Sequence, residues 1–371
     1  MGGTLEGTRV VEFAGLGPAP FACMLLADMG AEVIRIERPV PEGAEARHRA
    51  DDAFGRGRTS VTADLKDDAG RRLARQLTMD ADVVVEGFRP GVMERLGLGP
   101  DELLAENPRL VYGRITGWGQ EGRLAGSPGH DINYIALAGA LESIGREGQP
   151  PTVPLALVGD FGGGGMLLAV GILAALLERG RSGQGQVVDA ACVDGASMLM
   201  TVVHHLRAHG RWNDARGTNL FDTGAPYYDV YETADGLFIS LGAMERKFYA
   251  AMVDVLGLPV EAMHPQNDRA AWPARRALIA ERVRTRTRAA WEEAFDGIEA
   301  CFAPVLSPAE APNSPVHRER GTFIDVDGYP EPAPAPRFSR TPSTARPRSR
   351  PGEHNDQISG RLPLARDAAG A

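Results

Sequence analysis

With 371 residues, 43% of them hydrophobic and 24% charged, the chain has the length for two or three domains and the balance of a soluble globular protein. Its formal net charge of -9 leaves no overall positive field to draw phosphate in, which argues against nucleic acid as a partner and leaves room only for local basic patches. Cys23, Cys192 and Cys301 are far apart and each lies in an apolar stretch, so buried thiols are expected rather than a disulfide framework or a metal site.

The start, Met1-Gly2-Gly3-Thr4, has no basic region followed by an apolar run, so no secretion signal is expected. A β-rich run at 9–13 is broken by Gly15-Leu16-Gly17-Pro18-Ala19-Pro20, after which 21–29 reads as a helix. Strands follow at 32–36 and 60–63, then a helix at 67–78 with acids in its first turn, then strands at 82–85 and 109–114. This β-α-β-α rhythm predicts an α/β large domain with a doubly wound parallel sheet. Two helices, 162–179 after a glycine run and 190–208 after a short strand at 186–188, complete it. The apolar run 166–177 is too short to span a bilayer and reads as a buried helix, so no membrane partner is expected.

From about residue 225 the character changes. Strands at 227–232 and 237–241 flank Ala234-Asp235-Gly236, whose Asp-Gly supplies the positive-φ position of a hairpin. Helices at 245–256, 269–285 and 288–295 then predict a smaller α+β domain. The domains are placed at 1–205 and 225–315, with a return segment and a Pro/Arg-rich tail at 316–371 packing on the large domain. Asp367-Ala368-Ala369-Gly370-Ala371 carries no peroxisomal address, and a cytoplasmic protein is expected.

The first glycine turn sits where a dinucleotide fingerprint would, but Pro20 replaces the third glycine and the expected ribose acid falls in the mixed Ile36-Glu37-Arg38. A tight turn in a doubly wound sheet fits better than nicotinamide binding. Arg38, Lys66, Arg89 and Arg95 recur at predicted strand ends, where open α/β sheets gather ligands, and cations there suit the phosphates of an adenosine carrier. Each alone also reads as an ordinary surface charge.

Three further stretches could carry chemistry. In Gly129-His130-Asp131-Ile132-Asn133-Tyr134 a glycine-flanked loop presents a base that titrates near neutral pH, with Asp131 too close in sequence to be its obvious partner. In Val158-Gly159-Asp160-Phe161-Gly162-Gly163-Gly164-Gly165, Asp160 stands at a helix start. There it could cap free N–H groups, or serve as a reacting carboxylate beside a bare backbone able to approach a ligand and hold an oxyanion. Glu245 opens a helix after a hairpin strand and reads as a first-turn acid or as a carboxylate orienting a histidine.

With these motifs, and with Leu5-Glu6-Gly7-Thr8-Arg9-Val10-Val11-Glu12, Ala63-Asp64-Leu65-Lys66, Glu86-Gly87-Phe88-Arg89-Pro90-Gly91-Val92 and Ile115-Thr116-Gly117-Trp118-Gly119-Gln120, residues 5–340 resemble the family III CoA-transferase superfamily. Within it they are most similar to the α-methylacyl-CoA racemases. The resemblance implies His130 and Asp160 as the two bases, Glu245 as the acid that partners the histidine, and an acyl-CoA thioester as substrate. It implies CoA contacts at Arg38, Ala63, Asp64, Leu65, Lys66, Gly87, Phe88, Arg89, Arg95, Gly129, His130, Asp131, Ile132, Asn133 and Tyr134. It also implies an interlocked homodimer with shared active sites, and no cofactor beyond CoA as the carrier part of the substrate. The alternative within the superfamily is a CoA-transferase in which Asp160 is the nucleophile. Residues 40–49, longer than the usual loop, follow Arg38 at the expected carrier entrance.

Overall fold

A computed structural model describes residues 2–39, 52–326 and 328–361, so the 40–49 loop lies outside the described residues. The chain forms two compact units: Met1–Ala138, Leu155–Met200 and Ile324–Ala371 make the first, and Gly139–Pro154 with Thr201–Phe323 the second. Residues 139–154, 201–205 and 316–323, read from sequence with the large domain or the segment that packs on it, group with the second unit. The stretch 139–154 is tied there by Arg146 to Asp229 at 2.8 Å and by Arg216 to the Glu142 carbonyl at 2.8 Å.

The first unit is built on six strands: β1 (Arg9–Phe13), β2 (Glu32–Glu37), β3 (Arg58–Thr62), β4 (Val83–Glu86), β5 (Val111–Thr116) and β6 (Val187–Ala191). They pair in the order β3-β2-β1-β4-β5-β6, parallel throughout. Near-continuous apolar runs such as Val83-Val84-Val85 follow from burial on both faces. Val10, Val83 and Val85 join α1 (Pro18–Asp28) in one core, while Val11, Ile34 and Val84 join α2 (Asp68–Met79) in the other. Buried ion pairs link strands across the sheet, Arg58 to Glu12 at 2.9 Å and Arg114 to Glu86 at 3.1 Å, and Arg114 also reaches exposed Glu94 of the short helix Val92–Arg95 at 3.0 Å.

Three helices complete this unit's functional half: α3 (Asp131–Leu137), α4 (Met166–Ser182) and α5 (Cys192–Leu199). The expected 162–179 helix is instead a π-helix, Leu157–Gly165, running into α4. Together they make 26 residues that contain an 18-residue window of mean hydropathy 1.8, long and apolar enough to cross a membrane by length and composition, where the sequence suggested only a short run. Leu168, Ala169, Ile172 and Ala175 of α4 are buried in the core beneath β5 and β6. The expected 190–208 helix breaks at Met200, and its first two residues belong to β6.

The C-terminal segment runs along the edge strand β3. Ser349 donates to the Arg58 carbonyl, His354 and Ser60 exchange hydrogen bonds through their backbone amides, and the Asn355 side chain accepts from Thr62. Arg346 holds the carbonyls of Ala27 and Ala31 at 3.0 and 2.6 Å, closing the end of α1. These bonds occupy polar groups that a bare edge would leave open to other chains.

The second unit carries the antiparallel sheet β7 (Tyr228–Glu232), β8 (Phe238–Gly242) and β9 (Phe302–Val305), with Gly236 at φ 73° in the hairpin turn. Helices α6 (Thr201–Ala208), α7 (Arg246–Leu256), α8 (Trp272–Val283) and α9 (Arg288–Phe295) belong to it. Tyr249, Met252, Ile279 and Trp291 form its core with Ile239 and Leu241. Cys23 and Cys192 are buried, but Cys301, expected to be buried, is exposed at the turn of φ 51° that leads into β9.

Candidate active site

A parallel sheet sends all its carboxyl ends to one edge, and strand order reverses between β1 and β4, which opens a crevice there. The turn after β1 passes through Gly17 at φ 69°, a conformation that suits glycine, and Pro18 then opens α1. The turn after β4 is Gly87-Phe88-Arg89, held by the Phe88 amide donating to buried Glu86 at 2.7 Å. With the loop after β5 it encloses a cavity of about 270 Å³. Its walls are residues 87–90, Thr116, Gly117 and Trp118, then Ala125, Ser127, Pro128, Gly129, His130 and Tyr134.

Of the residues expected to contact CoA, the cavity brings together Gly87, Phe88, Arg89, Gly129, His130 and Tyr134. Arg38 is exposed just past β2, and residues 63–66 follow β3, so both lie beyond strand ends on the same edge without lining the cavity. Arg95 is not at a strand end: it closes the short helix Val92–Arg95 and is exposed. Glu245 is exposed in the second unit as the residue that precedes α7.

The stretch around His130 is not a loop. His130 is the N-cap of α3, and the Asn133 side chain accepts its backbone N–H at 3.1 Å. Tyr134 donates its hydroxyl to the Gly129 carbonyl and stacks edge-on against Trp118 at 4.9 Å, which closes one wall. Gly117 and Gly129 are required there, since a Cβ would come within 2.1 and 2.7 Å of the Tyr134 ring. Asp131 is buried, and one carboxylate oxygen accepts the amides of both Gly159 and Asp160, at 2.6 and 2.8 Å.

Asp160 is neither before the helix nor a cap. It lies inside the π-helix, half-buried, with its carboxylate facing the Gly17 turn. Phe21, Phe54 and Phe161 form a ring cluster with centroids 5.2–5.6 Å apart beside it. Burial raises the Asp160 carboxyl above its ordinary value, the negative charge of Asp131 raises it further, and His130 works against both. His130 and Asp160, 30 residues apart in sequence by their numbering, therefore share one electrostatic environment.

The glycine run does not present a bare backbone to a ligand. Gly163, Gly164 and Gly165 are buried, and a Cβ on them would meet the Ala196 amide at 2.6 Å, the Cys192 sulfur at 2.8 Å and Phe21 at 2.7 Å. They let α1 and α5 close directly onto the π-helix.

Asp131 is the functional candidate whose role the sequence missed. Its partners lie 28 residues away, and only the juxtaposition of two short segments reveals them.

The profile of CoA-transferase family III matches residues 5–355. The chain is 44% identical over 357 residues to the alpha-methylacyl-CoA racemase of Mus musculus, and 42% identical over the same length to that of Homo sapiens. Both alignments cover 95% of this chain and 92% of the relative. Among solved structures, a CAIB/BAIF family protein from Brucella suis aligns with a TM-score of 0.84 at 27% identity, over 98% of this chain and 100% of that one. From its first strand to the segment that edges β3, the chain belongs to CoA-transferase family III.

Proposed function

We propose that the protein is a racemase of 2-methylacyl-CoA thioesters, inverting the α-carbon by proton transfer with His130 and Asp160 as its bases. The observation that carries this reading is that His130, on the cavity wall, is within electrostatic reach of Asp160, a half-buried carboxyl outside the cavity lining whose proton affinity burial and Asp131 raise. The α-proton of a thioester is weakly acidic, so its removal needs a placed base and leaves a planar enolate. One base takes the proton from one face, the sulfur-bound carbonyl carries the charge as enolate oxygen, and the other base returns a proton to the opposite face. The electron pair returns to the α-carbon, so no oxidant or other co-reactant enters. A carboxyl with raised proton affinity suits a group that must both accept and give a proton near neutral pH.

The CoA portion would lie along the carboxyl edge of the sheet, with Arg89 and Arg38 beside its phosphates and residues 63–66, 87–89 and Arg95 along its length. Glu245 of a second copy would orient His130 in a homodimer with shared sites, as the resemblance to the racemases implies. The experiment is incubation with (2R)-2-methylacyl-CoA in D₂O together with a free carboxylic acid as acceptor. Deuterium at the α-carbon and appearance of the 2S form are expected. Passage of CoA to the free acid without exchange would make Asp160 a nucleophile and replace this reading with a transferase.

A further inference from the structure

A π-helix leaves its first amides without internal partners, because each would need a carbonyl five residues earlier. In the helix Leu157–Gly165 two of these, on Gly159 and Asp160, are taken by a single carboxylate oxygen of Asp131. Asp131 is 5% exposed, and its other carboxylate oxygen is buried with no hydrogen-bond partner among the described residues. A carboxylate so deeply buried costs stability unless it is well bonded, and here two amide donors and the positive end of a helix offset the cost. Gly159 has no room for a side chain, since a Cβ would sit 2.7 Å from the accepting oxygen. Asp131 is also the first residue of α3, directly after His130.

We infer that Asp131 is a positioning residue: through its backbone it carries His130, through its carboxylate it holds the Gly159–Asp160 amides, and so it sets both candidate bases on one frame. The inference rests on the assignment of His130 and Asp160 as the reacting groups. Asn133 and Tyr134 restrain the same turn from the histidine side, through the His130 amide and the Gly129 carbonyl. Asp131 alone among them reaches the second base. Its charge also faces Asp160 together with that of His130. Cys192 and Tyr134, also near Asp160, are both pushed up to about 12 by burial and stay neutral over the working range.

Two variants separate anchoring from charge. Asp131→Ala removes the acceptor, whereas Asp131→Asn keeps an oxygen acceptor and loses the charge. Hydrogen–deuterium exchange of the peptide covering 157–165 is read by mass spectrometry, beside kcat, KM and the pH profile of α-proton exchange. In Asp131→Ala, amide protection at 159–160 should be lost and kcat should fall about 100-fold, with KM changed less than about twofold, as for misplacement of a reacting group. Asp131→Asn should keep the protection and lose less of kcat than Asp131→Ala. Its acid limb should move to lower pH for the enantiomer whose proton Asp160 removes, because a charge that raised the Asp160 pKa is gone. Unchanged protection and kcat in Asp131→Ala would overturn the inference, as would an unmoved acid limb in Asp131→Asn should the alanine variant fail to fold. Amide protection does not depend on which reaction occurs. If the wild type transfers CoA instead, the same variants are read on transfer, so failure of the racemase reading stays separate from failure of this one.

Discussion

Arg89 stands on the cavity wall, and Arg38 follows the neighbouring strand β2 on the same edge. Both are exposed, and neither forms an ion pair with a described carboxylate, so their charge is available to a ligand. A guanidinium that holds a remote phosphate stabilises ground state and transition state alike. Arg89→Ala and Arg38→Ala should therefore raise KM for CoA thioesters about tenfold and leave kcat nearly unchanged. An unchanged KM in either variant would remove that residue from the carrier site. The two candidate bases stand out in the sequence because a histidine and an aspartate in glycine-rich surroundings resemble the motifs of a known family. Asp131 was not legible as a clamp. Adjacent residues do not face one another, and the two amides it binds belong to a segment that no local spacing connects to it.

At the scale of the element, parallel strands were the most readable feature. Burial on both faces turns each into an apolar run, and β1 and β2 were found to within a residue at each end. The short α3 was missed because Pro128 and Gly129 precede it and only seven residues follow, too few to show a helical period. The glycine run was misread in purpose: it signals close helix packing rather than an open anion site. A methyl group at Gly164 would sit 2.8 Å from the Cys192 sulfur and 3.1 Å from the Gly159 carbonyl, with buried neighbours on every side. Gly164→Ala should therefore destabilise the protein by about 1–3 kcal/mol, the usual cost of overpacking. Gly180→Ala, exposed on α4 with nothing within 4 Å, should instead stabilise by up to about 1 kcal/mol through helix propensity. Thermal unfolding of both variants checks the contrast, and equal shifts would contradict the packing account.

Across the whole molecule, alternation of strand and helix was enough to announce a parallel α/β sheet, and the Asp-Gly hairpin a separate antiparallel one. Composition alone said less about the C-terminal segment. Rich in Pro, Arg and Ser, it is secured by a series of polar bonds to the edge of β3 and the end of α1, with Phe338 and Ile358 as its apolar anchors on the two faces of the sheet. Such bonds have no periodic trace in a sequence. The same is true of the charges buried across the sheet, which pair between strands far apart in the chain, as Glu12 does with Arg58.

All of this scaffold serves one claim, that two different bases act on one α-carbon from opposite faces. The most direct measurement is α-deuterium incorporation in D₂O from each pure enantiomer of 2-methylacyl-CoA, by the wild type, His130→Ala and Asp160→Asn. Each variant should lose exchange from one enantiomer far more than from the other, with the affected enantiomer reversed between the two. Equal losses from both enantiomers in both variants would contradict the two-base account.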